Sequence, residues 1–203
     1  MRKKELQIVL SRLKEIDYKI KFEQYPTPPD VAARILWEAY IRGDIEGRKV
    51  VDFGTGNGIL AIGAKLLGAK EVLGIDIDED CIRIARENAE ELGLEIRFER
   101  MDVEDFSEKV DTVLMNPPFG LKRRGEDRKF LRKAFEVGDV VYCIHKIESD
   151  TFFKKFSEEY GFSSEMLFEF YYRLPPIYKF HESKSYYFRA GVWRFERKGL
   201  EGP

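Results

Sequence analysis

The apolar positions of this chain switch between helical spacing and short continuous runs. Leu6, Leu10 and Leu13 recur at intervals of four and three, in a stretch interrupted by acids and bases, and predict an amphipathic helix over 4–20. The stretch KFEQYPTPPD follows, and its three prolines break any helix; Pro28 and Pro29 with Asp30 then open a helix running to about Arg42. RKVVDF, EVLGIDID, EIRFERMDV, VDTVLMN and DVVYCIH read as five strands. Between them ILAIGAKLLG, EDCIRIARENAEELG and residues 127–137 carry helical spacing, and SDTFFKKFSEEYG adds a helix after the fifth strand. The tail changes character. SSEMLFEFYYRL and SYYFRAGVWRFER are long, aromatic and strand-like, and read as an antiparallel hairpin joined by PPIYKFHESK.

Strands alternating with helices imply an α/β fold. The expected architecture is a doubly wound, mostly parallel, Rossmann-like sheet of seven to eight strands with a C-terminal antiparallel hairpin. One domain over 1–203 accommodates all of it, with an N-terminal helix and closing segment in 1–27 and the hairpin in 164–196. Such sheets bind ligands beyond the carboxyl ends of their strands.

Composition narrows the classes. The chain has 203 residues, 43% apolar and 35% charged. No apolar run approaches the roughly 18 residues of a membrane helix, and the basic start MRKK is not followed by a signal-peptide core. A cytoplasmic protein without membrane association is expected. Cys81 and Cys143 fall within apolar patterns and read as buried thiols. Two cysteines and two histidines far apart in sequence do not make a zinc site, so no metal is expected. The net charge of −2 requires any RNA binding to rest on a local basic patch or a partner.

Three strand ends carry unusual residues. VVDFGTGNG places Gly54, Gly56 and Gly58 in a turn that lets the backbone approach a ligand closely. The dinucleotide fingerprint is G-x-G-x-x-G, and Ile59 stands where it would be completed. Asp52, just before the turn, would repel a pyrophosphate but can hold a cationic amine. That combination favours S-adenosylmethionine (SAM), which carries an ammonium group, over NAD. Asp76 ends the second strand, placed for ribose hydroxyls. Asp102 and Val103 follow the third, placed to read an adenine amine and flank its ring.

The fourth strand ends in VLMNPPFG. Proline cannot continue a sheet interior, so the chain must turn out at Asn116. DFGTGNG, GID, MDV and NPPF together resemble the class I SAM-dependent methyltransferases of the amino-methylating group. That resemblance assigns the catalytic corner to Asn116, Pro117, Pro118 and Phe119. The side-chain oxygen of Asn116 and the main-chain oxygen of Pro117 would accept both N–H bonds of a planar amine and release its lone pair. The prolines would hold the carbonyl direction, and Phe119 would stack on the flat substrate.

EQYPT, NPPFG with its basic loop, IHK and LPPIYKFHESKS together resemble one family over about 5–196. It is the small-subunit ribosomal RNA adenine-N6 methyltransferases, the methyltransferase-like protein five group and its archaeal relatives. The resemblance adds Gln24, Thr27, Gly54, Asn57 and Ile59 to the SAM site. It implies small-subunit rRNA as substrate and a small zinc-ribbon activator protein pairing along the third-strand edge. The turn here has Thr55 and Asn57 where eukaryotic members are rich in cysteine. Lys122, Arg123 and Arg124 in the basic stretch after the corner, His145 and Lys146 after the fifth strand, and Lys179, Phe180 and His181 in the tail are candidate RNA contacts. Guanine-N2 RNA methylation, glutamine-N5 protein methylation and a non-catalytic SAM-binding assembly role share the same motifs and stand as alternatives.

Overall fold

The computed structural model describes residues 1–17, 25–119, 125–174 and 186–199. Its strands are β1 (Lys49–Phe53), β2 (Glu71–Asp76), β3 (Arg97–Arg100), β4 (Val110–Met115), β5 (Gly138–Lys146), β6 (Phe162–Leu174) and β7 (Tyr186–Arg197). They form a seven-stranded sheet in the order β3-β2-β1-β4-β5-β7-β6. The first five run parallel. β7 is antiparallel to β5 and to β6.

The helices are α1 (Lys3–Leu10), α2 (Pro29–Ile41), α3 (Ile59–Leu66), α4 (Glu79–Glu91), α5 (Glu126–Val137) and α6 (Asp150–Glu159). Alternation along each strand sorts side chains to two faces. Val50, Leu114, Tyr142 and Ile144 join the core under α1 to α4. Val51, Phe53, Val113, Met115, Val141 and Cys143 join the core under α5 and α6. The hairpin closes this second core with Trp193 and Phe195, both buried, and Trp193 meets Phe153 of α6 edge-on at 5.0 Å.

Local chemistry sets the boundaries. Pro29 occupies the first turn of α2 with Asp30 beside it. Asp78 caps α4, its carboxylate accepting the Asp80 N–H at 3.2 Å. α1 is shorter than the periodicity predicts. The Lys14 N–H donates to Asn88 Oδ1 at 2.8 Å, and its carbonyl accepts from Asn88 Nδ2 at 3.2 Å. Those groups would otherwise belong to a continuing helix, so the chain after α1 runs instead across α4. The rest of the expected 4–20 helix, residues 18–20, lies outside the described residues. The third strand is also shorter than EIRFERMDV. Asp102 leaves it, accepting the Glu104 N–H at 3.0 Å and starting a single 3-10 turn. Cys81 and Cys143 are buried and neither forms a disulfide among the described residues. No described helix is long and apolar enough to cross a membrane.

Candidate active site

A cavity of about 420 Å³ opens at the carboxyl ends of β1, β2 and β4, within the ordinary size of small-molecule sites. It is lined by Asp52, the turn from Gly54 to Asn57, Ile59, Asp76, Asp102, Val103, Thr27 and Asn116. These come from five separate stretches of sequence. The parallel strands bring their ends together because the register pairs Phe53 with Ile75 and Met115.

The turn is built from left-handed glycines. Gly54, Gly56 and Gly58 have φ of +69°, +55° and +85°, a region L side chains rarely adopt. A Cβ on Gly58 would stand 3.2 Å from Ala85 and Phe98. Asp76 fastens the turn from the side: its Oδ2 accepts the Gly56 N–H at 3.0 Å, and its Oδ1 accepts the Asp78 N–H at 2.9 Å. Asp52 fastens it from below. Its Oδ2 accepts from Thr55 Oγ1 at 2.7 Å and from the Ala61 N–H at 3.2 Å. Burial pushes the Asp52 carboxyl up to about 7, against the pull of those two hydrogen bonds. Burial also raises Asp76, against its backbone donors.

Asn57 does not offer its side chain to the cavity alone. Its Nδ2 donates to the Lys14 carbonyl at 3.1 Å, beside the Asn88 bonds. The glycine turn, α4 and the segment after α1 are thereby stitched together. That segment supplies Ile16 to the cavity wall, with Cδ1 at 4.0 Å from a Cβ built on Gly56. From the other side α5 supplies Lys129 and Phe130. Lys129 Nζ lies 2.9 Å from Asp102 Oδ1, and the Phe130 ring would touch a Cβ on Gly54 at 3.4 Å. Sequence reasoning missed Ile16 and Phe130, each in a segment whose helical spacing reads as ordinary packing; Lys129 was read as part of the basic stretch 121–133 that takes phosphates, and the structure sets it instead against Asp102 at the cavity.

At the corner the geometry is more specific. Asn116 Nδ2 donates toward the Tyr25 carbonyl at 3.1 Å, Thr27 Oγ1 at 3.0 Å and Tyr172 Oη at 3.3 Å. A carbonyl only accepts, so Tyr25 fixes which end of the amide is NH2. Asn116 Oδ1 is buried and has no hydrogen-bond partner among the described residues. A buried acceptor left unpaired costs about 1–3 kcal/mol and calls for an explanation.

Phe119 is placed differently from the stacking platform expected of it. It is 5% exposed and enclosed by four rings. Tyr25 stacks on it at 5.3 Å with planes 14° apart, and Tyr172, Phe188 and His145 meet it edge-on. His145 is likewise no surface group. It is 3% exposed, with Nδ1 at 2.8 Å from Ser149 Oγ and Nε2 at 3.5 Å from Asp127 Oδ2. Lys146 is half-buried, its Nζ 5.9 Å from the Phe188 ring centre. Pro117 is buried and Pro118 reaches the cavity wall. Gln24, Lys122, Arg123, Arg124, Lys179, Phe180 and His181 lie outside the described residues. The described part of the basic stretch has partners: Arg132 meets Glu104 at 2.6 Å, and Lys133 meets Glu136 at 3.1 Å. The Arg132 pair is exposed and so holds weakly, whereas Lys133 is mostly buried.

The residues present fit SAM. A glycine cradle, a buried carboxylate and two further acids at strand ends suit a ligand with a cationic amine, a ribose and an adenine. The family model for ribosomal protein L11 methyltransferase (PrmA) matches residues 4–117. An L11 methyltransferase of Dictyoglomus turgidum is 39% identical over 102 residues, covering 50% of this chain and 33% of that protein. The rRNA N(6)-adenosine-methyltransferase METTL5 of Danio rerio is 38% identical over 204 residues, covering 96% of this chain and 99% of that one. PH1948 of Pyrococcus horikoshii, solved as a candidate RNA methyltransferase, is 43% identical, covers 97% of this chain and 98% of that one, and superposes with a TM-score of 0.90. The L11 methyltransferase model ends at Pro117, and the D. turgidum enzyme covers half of this chain. The matches to the other two run through the C-terminal hairpin as well.

Proposed function

The chain belongs to the METTL5 family of SAM-dependent rRNA N6-adenosine methyltransferases, and from that membership we propose that it methylates N6 of an adenine in small-subunit ribosomal RNA. The observation that carries the mechanism is Asn116: an amide whose NH2 is fully engaged and whose Oδ1 is not.

An exocyclic amine conjugated to a ring is a poor nucleophile. An acceptor on its N–H draws it toward tetrahedral geometry and localises the lone pair. Asn116 Oδ1 is that acceptor, and the Pro117 carbonyl is the second. A neutral amide suits the place because a carboxylate would add charge beside the sulfonium. SAM, when bound, supplies a methyl group made electrophilic by that sulfonium. Asp52, Asp76, Asp102 and the glycine turn hold the cofactor, with Gln24 and Thr27 closing over it from the N-terminal side. The amine becomes acidic once methylated and releases its proton to water, so no general base is required. The buried ring of Phe119 backs the corner, and the target base stacks on it when Tyr25 yields its place. His145, held by Ser149 and Asp127, supports Phe119 from behind.

Phosphates flanking the target adenine are held by Lys122, Arg123, Arg124 and Lys146, with Lys179, Phe180 and His181 as a second rim. β3 is the sheet edge beyond β2. It is short and carries Arg97 paired with Glu99 and Glu108. A zinc-ribbon activator adding a strand there would displace those exposed pairs at little cost. A glutamine-N5 protein substrate is the second reading, favoured by the match of residues 4–117 to the L11 methyltransferase model.

The test is transfer from methyl-labelled SAM to unmodified small-subunit RNA, with and without such an activator, followed by nucleoside analysis. Label in N6-methyladenosine is expected; label in N2-methylguanosine or in protein would overturn the substrate assignment. Asn116→Ala should lower turnover by about 100-fold or more while leaving SAM affinity within a few fold. Wild-type turnover in that variant would reject the mechanism.

A further inference from the structure

We propose that Tyr172, in β6, is a positioning residue for the Asn116 amide, and that it ties the C-terminal hairpin to methyl transfer. The inference rests on the reading of Asn116 given above. The Tyr172 side chain is fully buried, its ring stacked on Phe188 at 5.2 Å and edge-on to Phe119 at 5.7 Å. Its hydroxyl donates to the Pro26 carbonyl. A phenol has one proton to give. With that proton committed, the oxygen can meet Asn116 Nδ2, at 3.3 Å, only as an acceptor.

The Tyr25 carbonyl and Thr27 Oγ1, on either side of Pro26, face the same nitrogen. Three oxygens therefore define a nest for NH2. A flipped amide would set Oδ1 against the Tyr25 carbonyl, acceptor against acceptor. The nest fixes the amide so that Oδ1 is left unpaired. Two of its oxygens come from the segment before α2, and the third comes from the hairpin. The hairpin hydroxyl also pins that segment through Pro26, so its loss removes one acceptor and loosens the other two.

Tyr172→Phe keeps the ring and its stacking and removes only the hydroxyl. The measurement is steady-state kinetics on RNA at saturating SAM, with SAM affinity by calorimetry. The expected result is a fall in kcat of about tenfold or more, persisting at saturating SAM whatever the change in SAM affinity, with RNA KM within about twofold of wild type. Tyr171→Phe is the control; that side chain is 73% exposed on the opposite face, and its kcat should not move. An unchanged kcat in Tyr172→Phe overturns the proposal. So does a raised RNA KM with kcat retained, since the hydroxyl would then be a substrate contact. Should Tyr172→Phe fail to fold, Thr27→Val removes another oxygen of the nest, and the same fall in kcat at saturating SAM is expected of it. If the wild-type product is another methylated amine, the adenine assignment falls, and the ratio of the two kcat values on that product still judges Tyr172.

Discussion

Asp52 is held where its charge is unfavourable. It is 1% exposed, and burial lifts its carboxyl to about 7 while two hydrogen bonds on one oxygen resist the lift. The unfolded carboxyl titrates near 3.8. Between those values the folded chain keeps a proton that the unfolded chain has lost, so this group's contribution to stability declines as pH rises from about 4 to 7. An amide accepts the same two bonds without the charge. Asp52→Asn in the cofactor-free protein should therefore raise the melting temperature at pH 8 by a few degrees and have little effect at pH 4, read by calorimetry. The same variant should bind SAM more weakly by about tenfold or more, because a cationic amine no longer finds a carboxylate. A loss of stability at pH 8 would show that the carboxylate is not strained. Asn116 likewise keeps a buried polar atom, Oδ1, without a partner among the described residues. The sequence singled out both, an acid before a glycine turn and an amide before two prolines, and the structure brings both to the cavity wall. Their partners were not legible in the sequence. Nothing local in the sequence links Tyr172 to Asn116, 56 positions away.

Among the elements, the segment between α1 and residue 17 shows how periodicity misleads. Its apolar spacing continues the helix, but Asn88 captures both backbone groups of Lys14 and turns it into a wall of the cofactor cavity. A buried asparagine in α4 gives no sequence sign of a partner that lies 74 residues earlier. Asn88 also donates to the Asn57 carbonyl at 2.9 Å. Asn88→Ala removes the partner of the Lys14 N–H and of the Asn57 carbonyl, at about 1–3 kcal/mol for each that stays dry, while the Lys14 carbonyl keeps its bond from Asn57. It should weaken SAM binding by about tenfold, since about 1.4 kcal/mol corresponds to that factor. Calorimetric titration decides; unchanged affinity would remove residues 11–17 from the site. The parallel strands and their helices, by contrast, were legible nearly to their ends. β1, β2 and β4 are apolar runs that close on Gly54, Asp76 and the Asn116-Pro117 corner, and those closing residues line or flank the cavity.

For the whole molecule, the cavity joins ends of β1, β2 and β4 with segments from α1 and α5, so occupancy should stabilise the fold as a unit. At SAM concentrations about 100 times the dissociation constant, binding contributes about 2.7 kcal/mol. For a chain of this size that is a rise in melting temperature of roughly 5–10 °C. Asp76→Ala should abolish most of that rise by freeing the Gly56 N–H; a full shift in the variant would reject its role. The sheet order carries a further consequence, in time rather than space. β7 follows β6 in sequence but lies between β5 and β6. On the ribosome, β6 cannot reach its place until β7 has been made. At the usual pace of about 5–20 residues per second, the 81 residues from Asn116 to Arg197 take roughly 4–16 s. The residues of the glycine turn are made long before Tyr172 is. The nest around Asn116 is therefore complete only once the hairpin is in place, and on the proposal made above methyl transfer waits for the last strand of the sheet.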